Sequence, residues 1–303
     1  MKQHLAIVIP AYKRTYLEEA LTSIASQTCK DFTLYIGDDC SSFDLFSIIR
    51  PYQSKIDIVY KRFESNLGGK DLVAQWERCI DMTQGEEWLW LFSDDDVMEP
   101  DCVKEFYKCL HDNPNELFFH YNINRIDSKG KVLDKQPSWD SHVTTRQYLD
   151  GKLRGGYNTY VVEFILNRNL FMKVGRFQNY DLAWGSDFIT WLKLSDVNNG
   201  IKTISGARVN WRDSGENISP NKDPDIIYRK LKSVIQYTKY VSDYAYTHYY
   251  GKPWFYAKFA IGECRRNRNL LSRTKYNDLV SYYEKVNNWP KGVKYIIRFL
   301  FYL

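Results

Sequence analysis

The sequence has no long apolar segment, and this absence excludes several classes of protein. No uncharged apolar stretch approaches about eighteen residues, so we expect no transmembrane helix. The first apolar run, Leu5 to Ile9, is short and is followed by Pro10, Lys13 and Arg14, which argues against a signal peptide. We therefore expect a cytoplasmic protein, either free or peripherally attached to the inner face of the membrane.

Cysteine and histidine are scarce, and their spacing does not indicate a metal or redox site. The chain has 6 cysteines and 5 histidines. No two cysteines are separated by the two residues typical of zinc knuckles and redox dithiols. No histidine has the spacing to another ligand that is typical of metal binding or nucleophile activation. We expect reduced, mostly buried thiols, and histidines with structural or surface roles.

The charge balance excludes one class of partner. The net charge is +5, from 42 Lys and Arg against 37 Asp and Glu. This excess is too mild for a dedicated duplex-binding protein, so we expect no nucleic-acid partner, although it suits anionic substrates or an anionic membrane surface. The apolar fraction of 44% and the charged fraction of 26% indicate a folded, globular chain.

The first hundred residues alternate short apolar runs with segments of helical periodicity, which predicts an α/β fold with a mostly parallel sheet. Thr15 and Glu18 predict a capping box at the start of the first helix. The predicted strands are Leu5–Ile9, Phe32–Ile36, Ile56–Tyr60 and Trp88–Phe92. Ligands bind outside the carboxyl ends of such strands. The loops at those ends are 10–14, 37–42, 64–70 and 93–96.

The remainder of the chain predicts further strands followed by a helical extension. We expect one domain over 1–215 and an extension of three or four helices over 216–303. The predicted elements are a helix over 101–113, two strands within 117–133 joined by a turn at 127–130, a loop over 137–157 with a short helix at 145–150, a helix over 187–197, and closing strands at 201–204 and 208–211.

Three consecutive aspartates, Asp94, Asp95 and Asp96, follow the apolar run 88–92. Carboxylates this close raise one another's pKa unless a cation or donor groups compensate. A hard divalent cation with oxygen ligands is the usual compensator. A solvated turn that caps the next helix would also favour aspartate. The three residues alone leave both interpretations open.

Taken together, the strand-end loops resemble the inverting nucleotide-sugar glycosyltransferases of family 2, which share a single-domain, Rossmann-like architecture called GT-A. The resemblance covers roughly residues 3–215. It implies a nucleotide-binding part over about 1–115 and an acceptor part over about 116–215. The segments that carry it are Ile7–Tyr12, Gly37–Ser42, Asn66–Gly69, and Ser93–Asp96 with Pro100 four residues later.

The resemblance also implies a role for each loop. Asp39 would accept a hydrogen bond from a uracil ring nitrogen, and Asp94 would contact the ribose. Asp95 would ligate Mg²⁺ or Mn²⁺ that bridges the diphosphate, and Asp96 would assist as a further ligand. The remaining implied nucleotide contacts are Pro10, Ala11, Tyr12, Asn66 and Gly68.

The resemblance places the catalytic base at the start of a later helix, after a Gly-x-Phe element. Here residues 175–177 read Gly-Arg-Phe and precede Asp187, which we predict to be the base, with Asp181 as the fallback. The family commonly has Glu where this chain has Ser186. An acid at the helix start that only complements the helix dipole is the alternative for Asp187.

A second departure lies near the end of the domain, where many relatives have Arg-x-His and this chain has Trp211, Arg212 and Asp213. Either Asp213 replaces the histidine as a metal ligand, or the metal has only Asp95 or Asp96 with phosphate and water. Arg212 could hold the diphosphate or form a surface salt bridge.

We therefore predict an inverting, metal-dependent transferase that moves a sugar from a UDP-linked donor to a glycan or lipid-linked glycan, in surface polysaccharide assembly. A nucleotidyltransferase would need a Gly-rich basic loop that 10–14 lacks. A catalytically silent nucleotide- or glycan-binding protein is the other alternative. Residues 291–303 mix cations with bulky apolar residues, so they could contact a membrane, pack on the domain or form a dimer contact. Trp139, Tyr157, Trp184 and Trp211 could form a platform for a sugar or pack in the core.

Overall fold

The computed structural model describes residues 5–215, 221–249, 254–288 and 290–303. The strands are β1 (Leu5–Ala11), β2 (Phe32–Asp38), β3 (Ile58–Arg62), β4 (Trp88–Leu91), β5 (Val97–Met98), β6 (Phe118–Ile126), β7 (Val132–Lys135), β8 (His142–Val143), β9 (Phe164–Asn167) and β10 (Ile201–Arg212). The helices are α1 (Leu17–Ala25), α2 (Leu45–Ile49), α3 (Leu72–Ile80), α4 (Cys102–Asp112), α5 (Thr145–Arg154), α6 (Arg168–Lys173), α7 (Ser186–Asn198), α8 (Pro224–Tyr249), α9 (Trp254–Arg266), α10 (Arg273–Asn287) and α11 (Lys291–Tyr302).

The strands of the described residues form one sheet in the order β3-β2-β1-β4-β9-β6-β10-β5, with β7 added to β6 and β8 to β10. The four strands β3, β2, β1 and β4 are mutually parallel, which confirms the predicted α/β fold and parallel sheet. The second half is mixed, because β9 runs antiparallel to both β4 and β6 while β10 runs parallel to β6. The carboxyl ends of the four parallel strands therefore share one edge of the sheet.

Burial explains why β1 and β4 are almost continuously apolar. All four residues of β4 are buried, and six of the seven residues of β1 are buried. In the next layer, α1 buries Leu17, Ala20, Leu21 and Ile24. Trp90 of β4 donates from Nε1 to the carbonyl oxygen of Val162 at 2.7 Å and stacks with Tyr121 at a ring distance of 5.1 Å. These contacts fix β4. They therefore also fix the start of the loop 93–96, called the aspartate loop below, which follows β4.

The predicted capping box is wrong. Helix α1 begins at Leu17 with Tyr16 as its N-cap residue, and no side chain caps it. A Thr15 cap would require the helix to begin one residue earlier, but the first-turn amide of Leu17 instead reaches back to the carbonyl of Arg14 at 3.3 Å. Glu18 and Glu19 remain in the first turn, where they complement the helix dipole.

Two other predicted elements differ in extent. The two predicted closing strands form the single strand β10, whose register against β6 shifts between Ile204 and Arg208. Gly206 has φ of +94° within this bulge, so the intervening residues interrupt the apolar pattern without ending the strand. The predicted short helix at 145–150 extends to Arg154, because Thr144 and Gln147 form a capping box and Gly155 ends the helix at φ of +77°. The predicted hairpin between β6 and β7 is confirmed.

The chain divides into two compact units, 1–178 with 190–214, and 179–189 with 215–303. The described residues of the second unit include the helices α8, α9, α10 and α11. The segment 179–189, which we assigned from the sequence to the first domain, contacts α8: Ser233 donates to the carbonyl oxygen of Asp181 at 3.0 Å. No helix of the described residues is long and apolar enough to cross a membrane.

Candidate active site

The turn after β1 is held by a side chain that follows β4. The backbone N–H groups of Tyr12 and Lys13 both donate to Oδ2 of Asp94, each at 2.8 Å. Ser41 donates from its hydroxyl to the carbonyl oxygen of Tyr12 at 2.6 Å. The Tyr12 side chain remains 47% exposed. The predicted nucleotide residues Pro10, Ala11, Tyr12 and Asp94 therefore lie together, with one aromatic ring open to solvent.

Asp94 is 8% exposed, and burial raises its pKa to about 6, with a smaller contribution from Asp95. The two backbone hydrogen bonds act in the opposite direction. A buried carboxylate that titrates near neutrality is a common feature of functional sites.

The loop after β2 uses Asp39 to hold the loop after β3. Oδ1 of Asp39 accepts from the Leu67 amide at 2.7 Å, and Oδ2 accepts from the Gly68 amide at 2.8 Å. The Asn66 side chain donates to Oδ2 at 2.9 Å, and Arg78 of α3 donates to Oδ1 at 2.5 Å. The predicted residues Asp39, Asn66 and Gly68 therefore lie in one connected group. A carboxylate has about four acceptor positions, and four donors address those of Asp39.

The glycines of this loop are required by contacts inside the protein. A Cβ on Gly68 would lie 2.8 Å from Oδ2 of Asp39, and a Cβ on Gly69 would lie 2.5 Å from Oδ1 of Asn66. Both distances are shorter than real Cβ atoms tolerate. The sequence predicted small residues here for approach to a nucleotide, and the structure shows that Asp39 and Asn66 already occupy the space.

Asp38 and Arg78 also belong to the site, although no sequence pattern singled them out. Asp38 is fully buried and accepts from the Ser41 amide at 2.8 Å, the Tyr60 hydroxyl at 2.7 Å and Arg62 at 3.0 Å. Arg78 lies with its guanidinium 3.8 Å from the centroid of the Phe63 ring while it pairs with Asp39. The partners Tyr60 and Arg62 lie 22 and 24 residues from Asp38, and Asp39 lies 39 residues from Arg78, so no local spacing indicated these pairs.

The aspartate loop after β4 is closed by Arg212, at the end of β10. The Arg212 amide donates to Oδ1 of Asp96 at 2.7 Å, and Nε donates to the carbonyl oxygen of Asp95 at 2.7 Å. The guanidinium also pairs with Glu19 at 2.6 Å. Of the two alternatives for Arg212, the salt bridge is present, but it is formed by an arginine that is 0% exposed and not by a surface side chain.

Asp96 is 2% exposed, and burial, followed by the charge of Asp95, raises its pKa well above the ordinary value. Oδ2 of Asp96 accepts from the Ser93 hydroxyl at 2.8 Å, and the same hydroxyl lies 2.5 Å from Oδ1 of Asp95. The three aspartates are thus nearly buried, which the prediction of a solvated turn did not anticipate.

The carboxylates of this loop offer the hard oxygen donors that Mg²⁺ and Mn²⁺ take. Within the described residues, no group of three or more His, Cys, Asp or Glu side chains could hold a metal ion. Both oxygens of Asp96 already accept hydrogen bonds, which leaves Asp95 as the more available ligand. Asp213 lies 3.9 Å from Arg125 across an ion pair. The residues present fit a cation that takes further oxygens from a bound ligand.

In the second unit, Asp187 lies in the first turn of α7. The chain before it is unusual: Leu182 and Ala183 have φ of +59° and +53°, and Gly185 has φ of +90°. Ser186 is fully buried and its hydroxyl accepts from the Tyr180 amide at 2.9 Å, so the residue that replaces the family's Glu closes this turn. Backbone strain of this kind often lies next to functional residues.

The fallback base, Asp181, is fully engaged in an ion pair. Arg229 donates to both of its carboxylate oxygens, at 2.8 and 2.6 Å. This pair lowers the pKa of Asp181. A carboxylate stabilised in its charged form by a bidentate arginine is a poor proton acceptor.

The four aromatic residues considered as a platform pack against other side chains. Trp139 stacks with His120 at 3.8 Å and with Tyr157 at 4.2 Å between ring centroids. Trp211 stacks with Tyr160 at 4.0 Å. The Lys230 ammonium lies 4.6 Å from the ring centroid of Trp184. These contacts favour the packing interpretation of all four.

Comparison with known proteins identifies the family. The family model described as glycosyl transferase family 2 matches residues 6–175. An uncharacterized glycosyltransferase of Haemophilus influenzae is 24% identical over 173 residues, which cover 56% of this chain and 55% of that protein. The GalNAc(5)-diNAcBac-PP-undecaprenol beta-1,3-glucosyltransferase of Campylobacter jejuni is 25% identical and matches 55% of this chain and 54% of its own length. The chain thus spans about half the length of these curated relatives.

Solved structures show the same fold. The crystal structure of S. aureus TarS residues 1–349 in complex with UDP-GlcNAc superimposes with a TM-score of 0.58 and 16% identity. The superposition covers 95% of this chain and 91% of that one. With the family model over more than half of its length, the chain belongs to glycosyltransferase family 2.

Proposed function

We propose that this chain is an inverting transferase that moves a sugar from a UDP-linked donor to a hydroxyl of a glycan. The observation that carries the proposal is the group formed by Asp94, Asp95 and Asp96. They are only 8%, 8% and 2% exposed, and burial and mutual repulsion raise the pKa of Asp94 and Asp96. Burial and mutual repulsion make the charged forms of these carboxylates unfavourable. The binding of a cation together with a diphosphate would stabilise them.

The nucleotide would bind at the loops after β1, β2, β3 and β4. Asp94 fixes the β1 turn and Asp39 fixes the β3 loop, so the surface that would meet the base and ribose is held in place before a ligand arrives. A uracil N–H that contacts Asp39 would have to share or replace one of its present donors. The half-exposed ring of Tyr12 is free to pack on the base. TarS, a protein of the same fold, is described in complex with UDP-GlcNAc, which supports UDP as the nucleotide.

The chemical step would be a single displacement. The carboxylate of Asp187 takes the proton from the acceptor hydroxyl as that oxygen bonds to the anomeric carbon. The bond from the anomeric carbon to the diphosphate oxygen breaks on the opposite face, so the configuration inverts. Mg²⁺ or Mn²⁺ held by Asp95, with Asp96 beside it, would neutralise charge on the departing diphosphate.

The proposed acceptor is a glycan or a lipid-linked glycan in surface polysaccharide assembly. The name of the Campylobacter jejuni relative describes an undecaprenol-linked acceptor, which supports this class. The six cysteines are all free in the structure, as expected of a chain that works on the cytoplasmic side of the membrane.

Donor binding tests the first half of the proposal. We expect isothermal titration to show that UDP binds in Mn²⁺ or Mg²⁺ and that EDTA weakens this binding, with GDP and dTDP much weaker. Absence of binding by every nucleotide would contradict the proposal and leave a catalytically silent scaffold.

Replacing Asp187 by Asn tests the second half. We expect turnover to fall by about 10²- to 10⁴-fold, the usual contribution of a general base, while UDP affinity stays unchanged. The matched control is Asp196→Asn, on an exposed position of the same helix. Wild-type turnover of the Asp187→Asn variant would exclude Asp187, and Asp181→Asn would then test the fallback.

A further inference from the structure

Helix α11 has one buried face and one exposed apolar face. Ile297 and Phe301 are 1% and 0% exposed, whereas Tyr295 and Phe299 are 78% and 62% exposed. At about 100° per residue the exposed side chains cover roughly 120° of the helix surface, away from the buried pair. The exposed set is Tyr295, Ile296, Phe299, Tyr302 and Leu303.

The buried face shows that the exposed one is not the result of a loosely attached helix. The Tyr276 hydroxyl donates to the carbonyl oxygen of Phe301 at 2.6 Å. The Phe301 ring lies 5.2 Å from that of Tyr283, edge to face. Arg298 pairs with Glu284 of α10 at 3.2 Å. Helix α11 is therefore held on the second unit by its buried face, and its exposed apolar face remains accessible to solvent.

The charge of this part of the chain is strongly positive. Residues 215–303 contain 16 Lys and Arg against 7 Asp and Glu, a net charge of +9, whereas residues 1–214 contain 26 against 30, a net charge of −4. The α11 sequence contains Lys291, Lys294 and Arg298 and has no acidic residue. The mild overall charge of +5 thus conceals a basic helical extension joined to an acidic sheet domain.

We propose that the exposed face of α11 inserts into the interface of an anionic lipid bilayer. Aromatic and aliphatic side chains on one face with cations beside them are the features that hold a helix in the plane of a membrane surface. The net charge of the extension favours an anionic surface over a second copy of the same chain, because two such extensions repel each other. The inference goes beyond the proposed transfer reaction and does not depend on it.

The experiment is flotation of the full chain with vesicles of phosphatidylglycerol and phosphatidylcholine in equal parts, compared with phosphatidylcholine alone. We expect the protein to float with the anionic vesicles and to be released by high salt. Ile296→Ser combined with Phe299→Ser should weaken binding by at least about tenfold. The control is Val132→Ser with Leu133→Ser, two exposed apolar residues of β7 that should leave binding unchanged.

Because Ile296 and Phe299 are 57% and 62% exposed, the double variant should retain its melting temperature and its UDP affinity. Those two measurements separate a loss of lipid contact from misfolding and from failure of the transferase proposal. Equal flotation of wild type and double variant, or no flotation of either, would overturn the inference. A dimer in light scattering that the double variant converts to a monomer would assign the face to a second copy instead.

Discussion

Asp39 and Asp94 use their carboxylates in the same way, since each accepts backbone N–H groups from a neighbouring strand-end loop. Asp94 binds two amides of the β1 turn, and Asp39 binds two amides of the β3 loop. The residues that the sequence marked as ligand contacts are therefore also the residues that shape the site. Their replacement would alter the loops even where no ligand is bound.

Arg78 is a positioning residue that can be tested through Asp39. Arg78→Met keeps an unbranched side chain to pack on Phe63 but removes the charge-assisted hydrogen bond to Oδ1 of Asp39. Such bonds contribute about 1.5 to 3 kcal/mol, and we expect part of the loss to appear as about three- to tenfold weaker UDP binding. Titration calorimetry in Mn²⁺ measures this change.

The matched control for Arg78 is Arg168→Met. Arg168 pairs with Glu86 at 3.4 Å and is 18% exposed in its side chain, compared with 23% for Arg78. Glu86 precedes β4, so this pair lies at the amino end of that strand, at the sheet edge opposite the candidate site. We expect Arg168→Met to reduce stability without changing UDP affinity. Equal losses of affinity in the two variants would contradict the positioning role.

Among the elements, the segment before α7 is the most constrained. Leu182, Ala183 and Gly185 all have positive φ within four residues. A Cβ on Gly185 would lie 2.3 Å from the Tyr237 ring, which leaves no room for any other residue. The turn leads directly into the first turn of α7, so strain here is expected to affect the position of the Asp187 carboxylate, the proposed base.

Gly185→Ala is therefore expected to lower the free energy of unfolding by more than the strain of a non-glycine residue at positive φ alone. A residue forced to positive φ costs of order 1 kcal/mol, and the overlap with Tyr237 should raise the loss to about 2 to 4 kcal/mol. Gly175→Ala is the control, because Gly175 has φ of +85° with nothing within 4 Å of its Cβ position. Urea unfolding of both variants measures the difference. Equal destabilisation would show that the Tyr237 contact carries no energy.

The elements were predictable where burial leaves a periodic pattern, and the site was predictable only in part. The strand ends and the aspartate loop follow from apolar runs such as Trp88–Phe92, and the hairpin from its turn residues. The sequence predicts a gap where β10 has a bulge, because Ser205 and Gly206 break the apolar pattern locally. The burial of Arg212 is not predictable from local sequence, because its partners Asp96 and Glu19 lie 116 and 193 residues away.

At the scale of the whole molecule, a buried histidine makes stability depend on pH. His120 is 0% exposed and stacks with Trp139, and its Nε2 lies 3.2 Å from the carboxylate of buried Glu163. Burial, followed by the charge of Arg208, lowers the pKa of His120 well below the ordinary value. Between the folded pKa and the unfolded pKa of about 6.5, the unfolded chain binds more protons, so stability rises with pH. This contribution is complete above about pH 6.5 and is lost as the pH falls.

Two carboxyl groups act in the opposite sense. Burial raises the pKa of Asp94 to about 6 and that of Asp96 well above its ordinary value, so the folded state of these acids binds more protons than the unfolded state. Their contribution to stability therefore increases as the pH falls through those pKa values. A single pH profile of the wild type adds both effects, so a histidine variant is needed to isolate one of them.

His120→Phe isolates the histidine, because the two aspartates are unchanged and a phenylalanine can pack on Trp139. Urea unfolding at pH 6.5 and at pH 5.5 measures the effect. Between these two pH values we expect the free energy of unfolding of the wild type to fall by about 1 kcal/mol more than that of the variant, since a pKa difference of one corresponds to about 1.4 kcal/mol. His111→Phe, on a side chain that is 89% exposed, serves as the control and should follow the wild type. Parallel profiles for wild type and His120→Phe would contradict this prediction, because they would mean that the pKa of His120 is the same in the folded and the unfolded chain.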